Sequence, residues 1–105
     1  MTANGTGRLD VPPTHAELTE DLAATEADWH QAEAVTADAY LEWGIAVRGY
    51  VEAVRANDRP GKEWALGRVT TARVRHSHAL HEMIERECIY RETVARYEAE
   101  RRQAP

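Results

Sequence analysis

The stretch Leu18–Ala53, LTEDLAATEADWHQAEAVTADAYLEWGIAVRGYVEA, decides the fold. Read at every third and fourth residue, it yields two columns. One holds Leu22, Trp29, Thr36, Trp43 and Tyr50. The other holds Leu18, Thr25, Ala32, Ala39, Ala46 and Ala53. The 4-3-4-3 spacing has a period of about 3.5, that of a helix whose apolar seam lies along another helix. Large residues fill one column and small ones the other, so the partner can approach closely along the small column.

Upstream, Thr14-His15-Ala16-Glu17 fits a capping box, in which the hydroxyl and the Glu17 carboxylate satisfy first-turn N–H groups. Glu17, Glu20 and Asp21 sit where the helix dipole favours negative charge. Residues 1–13 (MTANGTGRLDVPP) lack periodicity and read as a disordered lead-in. They hold no apolar run of the kind a secretory signal needs. Downstream, Gly44 and Gly49 each cost a helix interior up to ~1 kcal/mol relative to Ala. The seam continues through both, which predicts a bend or a close helix contact there rather than an end. The first helix is expected over 14–56 and a turn over Asn57-Asp58-Arg59-Pro60-Gly61, with Asn57 as a left-handed cap and Asp58 capping the second helix.

That second helix is expected over 62–101, with a frayed tail at 103–105. Its core column reads Ala65, Val69, Ala72, His76, Leu80, Met83, Tyr90, Val94 and Tyr97. On its outer face Glu82–Arg86, Glu87–Arg91, Glu92–Arg96 and Glu98–Arg102 all place Glu four residues before Arg, the favourable orientation. The fold class is therefore all-α, an antiparallel hairpin of two long helices. A turn centred near Arg59 pairs residue i with about 118 − i. That register sets Trp29 across from Tyr90, Leu22 from Tyr97, Thr36 from Met83, Tyr50 from Val69 and Trp43 from His76. It also brings the acidic first arm beside Arg86, Arg91, Arg96 and Arg101.

A two-helix hairpin of 105 residues has little interior. Yet Tyr40, Leu41, Ile45, Val47 and Val51 lie off the first seam, and Leu66, Val74, Ile84 and Ile89 off the second. Burial of these residues against a second copy, as a homodimeric four-helix bundle, or against another helical protein, is the simplest expectation. Breakage of the first helix at its glycines, giving a three-helix bundle, is the alternative.

Charge is segregated along the chain. Positions 9–47 hold nine acids and no Lys or Arg, whereas 48–75 carry a net +4 within an overall −5. The basic segment (Arg48, Arg55, Arg59, Lys62, Arg68, Arg73, Arg75) suits either phosphate contacts with nucleic acid or docking on the acidic arm of a neighbouring molecule. The overall acidity and the lack of a short recognition-helix motif weigh against nucleic acid.

His78, His81, Glu82, Glu85 and Cys88 place metal-ligating types on one helical stripe. The stripe lies opposite the core column, matches no HExxH spacing, and needs ligands from another chain to close a site. His76, on the core column opposite Trp43, reads as a haem ligand, a pH switch, or a histidine packed against an indole. Glu87 reads as a seam-edge carboxylate paired with Arg91 or with a partner's base. Trp29 and Trp43 read as core, Trp64 as partly exposed. No Gly-rich phosphate loop, nucleophile elbow or paired carboxylate appears, so no catalytic residue and no cofactor is expected. No apolar run reaches the ~18 residues of a membrane span. With one cysteine, Cys88, no intrachain disulfide can form, which fits the reducing cytoplasm.

An acidic helical hairpin of about a hundred residues resembles in plan the WXG100 secreted family. The motifs differ: the turn reads Asn57-Asp58-Arg59-Pro60-Gly61 in place of Trp-x-Gly, and Trp43-Gly44 lies inside a helix. Tyr90 and Tyr97 are followed four residues on by Val94 and Arg101, where that family's secretion signal has an acid. No residue role carries over. The functional expectation is a non-enzymatic interaction or adaptor protein. A nucleic-acid-associated regulator, or a metal or haem binder over 76–88, stand as the alternatives.

Overall fold

The computed structural model describes residues 12–103. Helix α1 spans His15–Arg55 and helix α2 spans Arg59–Gln103. They pack antiparallel along their length as an elongated hairpin of 71 × 34 × 14 Å. The radius of gyration, 22.3 Å, compares with about 13 Å for a compact chain of this length. The expected lead-in falls mostly on residues 1–11, outside the described residues.

Thr14 caps α1 in extended backbone, its hydroxyl accepting from the Glu17 N–H at 3.1 Å. This is half of the expected capping box. The helix is continuous through Gly44 and Gly49, so the three-helix alternative does not hold. A Cβ added at either glycine would meet nothing within 4 Å, and the close helix contact expected there is not made within this chain.

The connection is shorter than the sequence suggests. Asn57 takes the left-handed conformation (φ 54°) that Asn tolerates well. Asp58 then caps α2: its carboxylate accepts from the Gly61 N–H at 3.1 Å and its carbonyl from the Lys62 N–H at 2.8 Å. Arg59, Pro60 and Gly61 therefore belong to the first turn of α2 rather than to a loop. Proline suits that turn because its missing N–H would have no helical partner there. At the far end α2 runs through Gln103, two residues past the expected limit; positions 104–105 are outside the described residues.

All eleven residues of the two α1 columns are buried or half-buried. In α2 the covered line is Ala65, Val69, Ala72, His76, Ala79, Met83, Arg86, Tyr90, Thr93 and Tyr97. Leu80, expected in the core, is exposed, and Ala79 takes its place. Thr93 (3% exposed) is buried more deeply than Val94. The corrected line keeps the 4-3 spacing without a break, which the line through Leu80 does not.

Trp29 stacks on Tyr90 with ring centroids 5.2 Å apart, and Trp43 meets His76 at 5.5 Å; in both pairs the residue numbers add to 119. Tyr97, which this register sets across from Leu22, places its ring 5.4 Å from His15. Thr36, which the same register sets across from Met83, bonds to the carbonyl one turn before Met83, a group that points along the helix toward Met83. Its hydroxyl donates to the Ala32 carbonyl at 2.8 Å and reaches across to the Ala79 carbonyl at 3.0 Å. A threonine hydroxyl is short, so this bond requires the helices to approach closely where Ala32, Ala39 and Ala79 line the seam.

Small residues at the closest approach predict an asymmetric response to added methyl groups. Ala46→Leu should lower stability by about 1–3 kcal/mol through overpacking. Gly67→Ala, inside α2 with open space around it, should raise stability by up to about 1 kcal/mol. Urea denaturation of the two variants beside the parent checks both.

Candidate functional site

The seam positions fix which residues flank it. In an antiparallel pair, residues one step outside the seam on one helix lie beside their counterparts on the other. The observed contacts sort these flanks into two unlike faces.

The first face is charged. Arg75 donates to Glu42 across the helices at 3.1 Å. Arg86 donates to Glu82 through two nitrogens, one at 3.0 Å. Asp28 lies close enough to add to the field on Arg86. The bonds to Glu82 and that carboxylate's charge hold the Arg86 guanidinium above its ordinary range. Arg68 sits over the Trp64 ring at 5.1 Å, with Trp64 itself 67% exposed. Val35, Ile45 and Ile89 are the other exposed apolar side chains here.

The second face is apolar over its middle and turn-proximal half. Tyr40 leans on His76 at 5.6 Å and on Trp43 at 6.3 Å, which places it on this side. Following the helix from Tyr40 gives Gly44, Val47, Val51 and Val54, all at least partly open to solvent: Tyr40 is 62% exposed and Val51 38%. On α2 the same face carries Leu66, Leu80 and Ile84, with Thr70, Arg73 and Ser77 between them. Seven of the thirteen exposed large hydrophobics lie here. Leu41 and Val74 point away from both faces, on the outer edges of their helices. Tyr40, Leu41, Ile45, Val47, Val51, Leu66, Val74, Ile84 and Ile89, the off-seam residues read from sequence, are all exposed. They do not form one surface. Sorting them needs cross-helix contacts, which spacing along one helix does not contain. Val54 and Leu80 belong with the apolar face and are missed by the off-seam reading; Val54 continues the 4-3 spacing from Val47 and Val51, a signal legible in the sequence.

The basic segment is partly engaged with its own chain. Arg75 is held by Glu42, Arg68 covers Trp64, and Arg59 lies 3.8 Å from Glu63. Arg48, Arg55, Lys62 and Arg73 are exposed. On the His/Glu stripe, His81 pairs with Glu85 at 3.0 Å and Glu82 is occupied by Arg86. His78 and Cys88 are exposed. Among the described residues, no three His, Cys, Asp or Glu side chains are grouped closely enough to hold a metal ion. His76 is half-buried between Trp43 and Tyr40. Glu87 pairs with Arg91 at 2.8 Å. Of the four expected Glu–Arg pairs along α2, Glu82–Arg86 and Glu87–Arg91 form.

Toward the open end the second face turns polar. Tyr90 donates its hydroxyl to Glu26 at 3.1 Å, tying the two helices together beyond the apolar patch. Losing the proton would set a phenolate against that carboxylate, so the bond, followed by burial, raises the Tyr90 hydroxyl above its ordinary 10.0. Trp29, stacked between His30 and Tyr90, leaves its buried indole N–H without an acceptor. Among the described residues, no helix is long and apolar enough to cross a membrane.

The Tyr90–Glu26 bond gives a signed pH effect. A raised folded-state value means that its stabilisation is complete below about pH 10 and is lost as pH climbs through the folded value. Thermal midpoints should therefore fall above pH 10, and Tyr90→Phe should remove that increment of the alkaline loss. An identical alkaline profile for parent and variant would contradict the assignment.

No family model, curated protein or solved structure matches the chain.

Proposed function

We propose that the chain is a small non-enzymatic interaction or adaptor protein that self-associates through helical packing. One observation carries the reading: the hairpin leaves most of its large apolar side chains uncovered. Leu18 is the one large side chain that is fully buried among the described residues, while thirteen large hydrophobics are 37–67% exposed. The accessible surface, 8189 Å², is well above the roughly 5,900 Å² usual for a compact monomer of this mass. Full burial of a Val, Leu or Ile side chain is worth about 1.5–3 kcal/mol. Against the chain entropy of ordering two long helices, a seam whose aromatic side chains are only half-buried and whose fully covered positions, Leu18 apart, are Ala and Thr supplies little. A second hairpin laid on the first supplies the missing burial with closed symmetry, as a four-helix bundle.

Sedimentation equilibrium tests the reading. The expected mass is twice the 11.8 kDa of the chain at micromolar concentration. A strict monomer at 100 μM would overturn self-association.

A further inference from the structure

Self-association leaves open which face is covered and which way the second copy runs. Resting on that reading, we propose that the second copy docks head to tail on the apolar face, α1 against α1, along a stripe formed by Ala37, Tyr40, Gly44, Val47, Val51 and Val54.

The stripe repeats the grammar of the buried seam. Its spacing is 3-4-3-4-3, the same period as the columns that α1 buries against α2. A helix with two seams of one period has two helical neighbours, and the hairpin supplies only the first. Eighteen residues of α1 make this second seam roughly 27 Å long.

The stripe is also complementary to its own reverse. Turned end for end about a point between Ile45 and Ala46, Tyr40 meets Val51 of the second copy. Gly44 then meets Val47 of the second copy, and Ala37 meets Val54. Each bulky residue faces an apolar or small one. Gly44 gains a reason that the single hairpin does not give it: a Cβ there would meet nothing within 4 Å, yet a glycine inside a helix is costly. In the reversed pairing its missing side chain leaves a hollow for the facing valine.

Charge selects the same direction. Residues 48–75, the turn half, carry +4, while residues 15–47 of α1 hold eight acids and no Lys or Arg. Head-to-tail docking lays the turn half of each copy over the acidic half of the other. Docking turn to turn sets basic against basic and acidic against acidic. The opposite face is a poorer site, because Glu42 and Arg75 already satisfy each other across its centre.

The test uses the full-length chain with Cys88→Ser and Arg59→Cys, spin-labelled beside the turn. Pulsed dipolar spectroscopy on the dimer should give a separation of roughly 40 Å, from the 1.5 Å rise per residue on either side of the axis. A dimer with labels closer than about 25 Å would overturn the head-to-tail arrangement while leaving self-association standing. A monomeric mass would overturn both.

Two substitutions test the face. Val47→Glu should raise the dimer dissociation constant at least about tenfold, while Ile89→Glu on the charged face should leave it unchanged. Gly44→Leu guards against misfolding, since it improves helix propensity yet fills the hollow; it should weaken the dimer without lowering helicity. Wild-type affinity in both Val47→Glu and Gly44→Leu would overturn the stripe.

Discussion

Close approach of the two helices is the constraint on which the hairpin depends. Ala32, Ala39 and Ala46 on α1, with Ala65 and Ala72 on α2, are each at most 8% exposed. Between the alanine layers lie the layers of larger groups, Trp29 on Tyr90 and Trp43 on His76. The Thr36 hydroxyl, bonded at once to its own helix and to the Ala79 carbonyl, spans the gap near the middle. A larger residue at Ala79 or Ala39 would push the helices apart and break that bond. The same smallness limits what the seam can contribute, because an alanine buries little apolar area.

This trade explains the outward character of the molecule. Most large aliphatic side chains sit beside the seam rather than in it; Leu18, Leu22 and Val69 are the ones it holds. Leu80 shows the choice directly: it is exposed at 37%, while its neighbour Ala79 lies in the line. A helix pair whose fully covered positions are mostly small residues thus carries much of its hydrophobic capacity on its flanks, uncovered within the single chain.

The first helix is legible because its seam is written twice, in a large and a small column, and nothing interrupts it. The second misleads at Leu80, where residue size points one way and spacing the other; Val94 is half-buried as expected, but its neighbour Thr93 lies deeper, and spacing is the better guide at both places. The turn misleads because Arg59-Pro60-Gly61 has loop composition. What decides its state is Asp58, whose cap converts the same residues into a first helical turn. The register is recoverable from loop length alone, and the Trp29–Tyr90 stack sits within a residue of it. The two faces are not recoverable. Their difference rests on cross-helix contacts such as Arg75 to Glu42 and Tyr40 to His76, which depend on how one seam is rotated against the other. Thr36's reach to Ala79 likewise depends on interhelical distance, which sequence spacing does not encode.

If the flanks are covered by a second copy, folding and association are one event, and stability must rise and fall with protein concentration. The urea midpoint of the full-length chain, measured by circular dichroism from 1 to 100 μM protein, tests this most directly. The account predicts a midpoint that rises steadily with concentration. A midpoint independent of concentration, with full helicity at its lowest value, would show that the hairpin stands alone and would contradict the account.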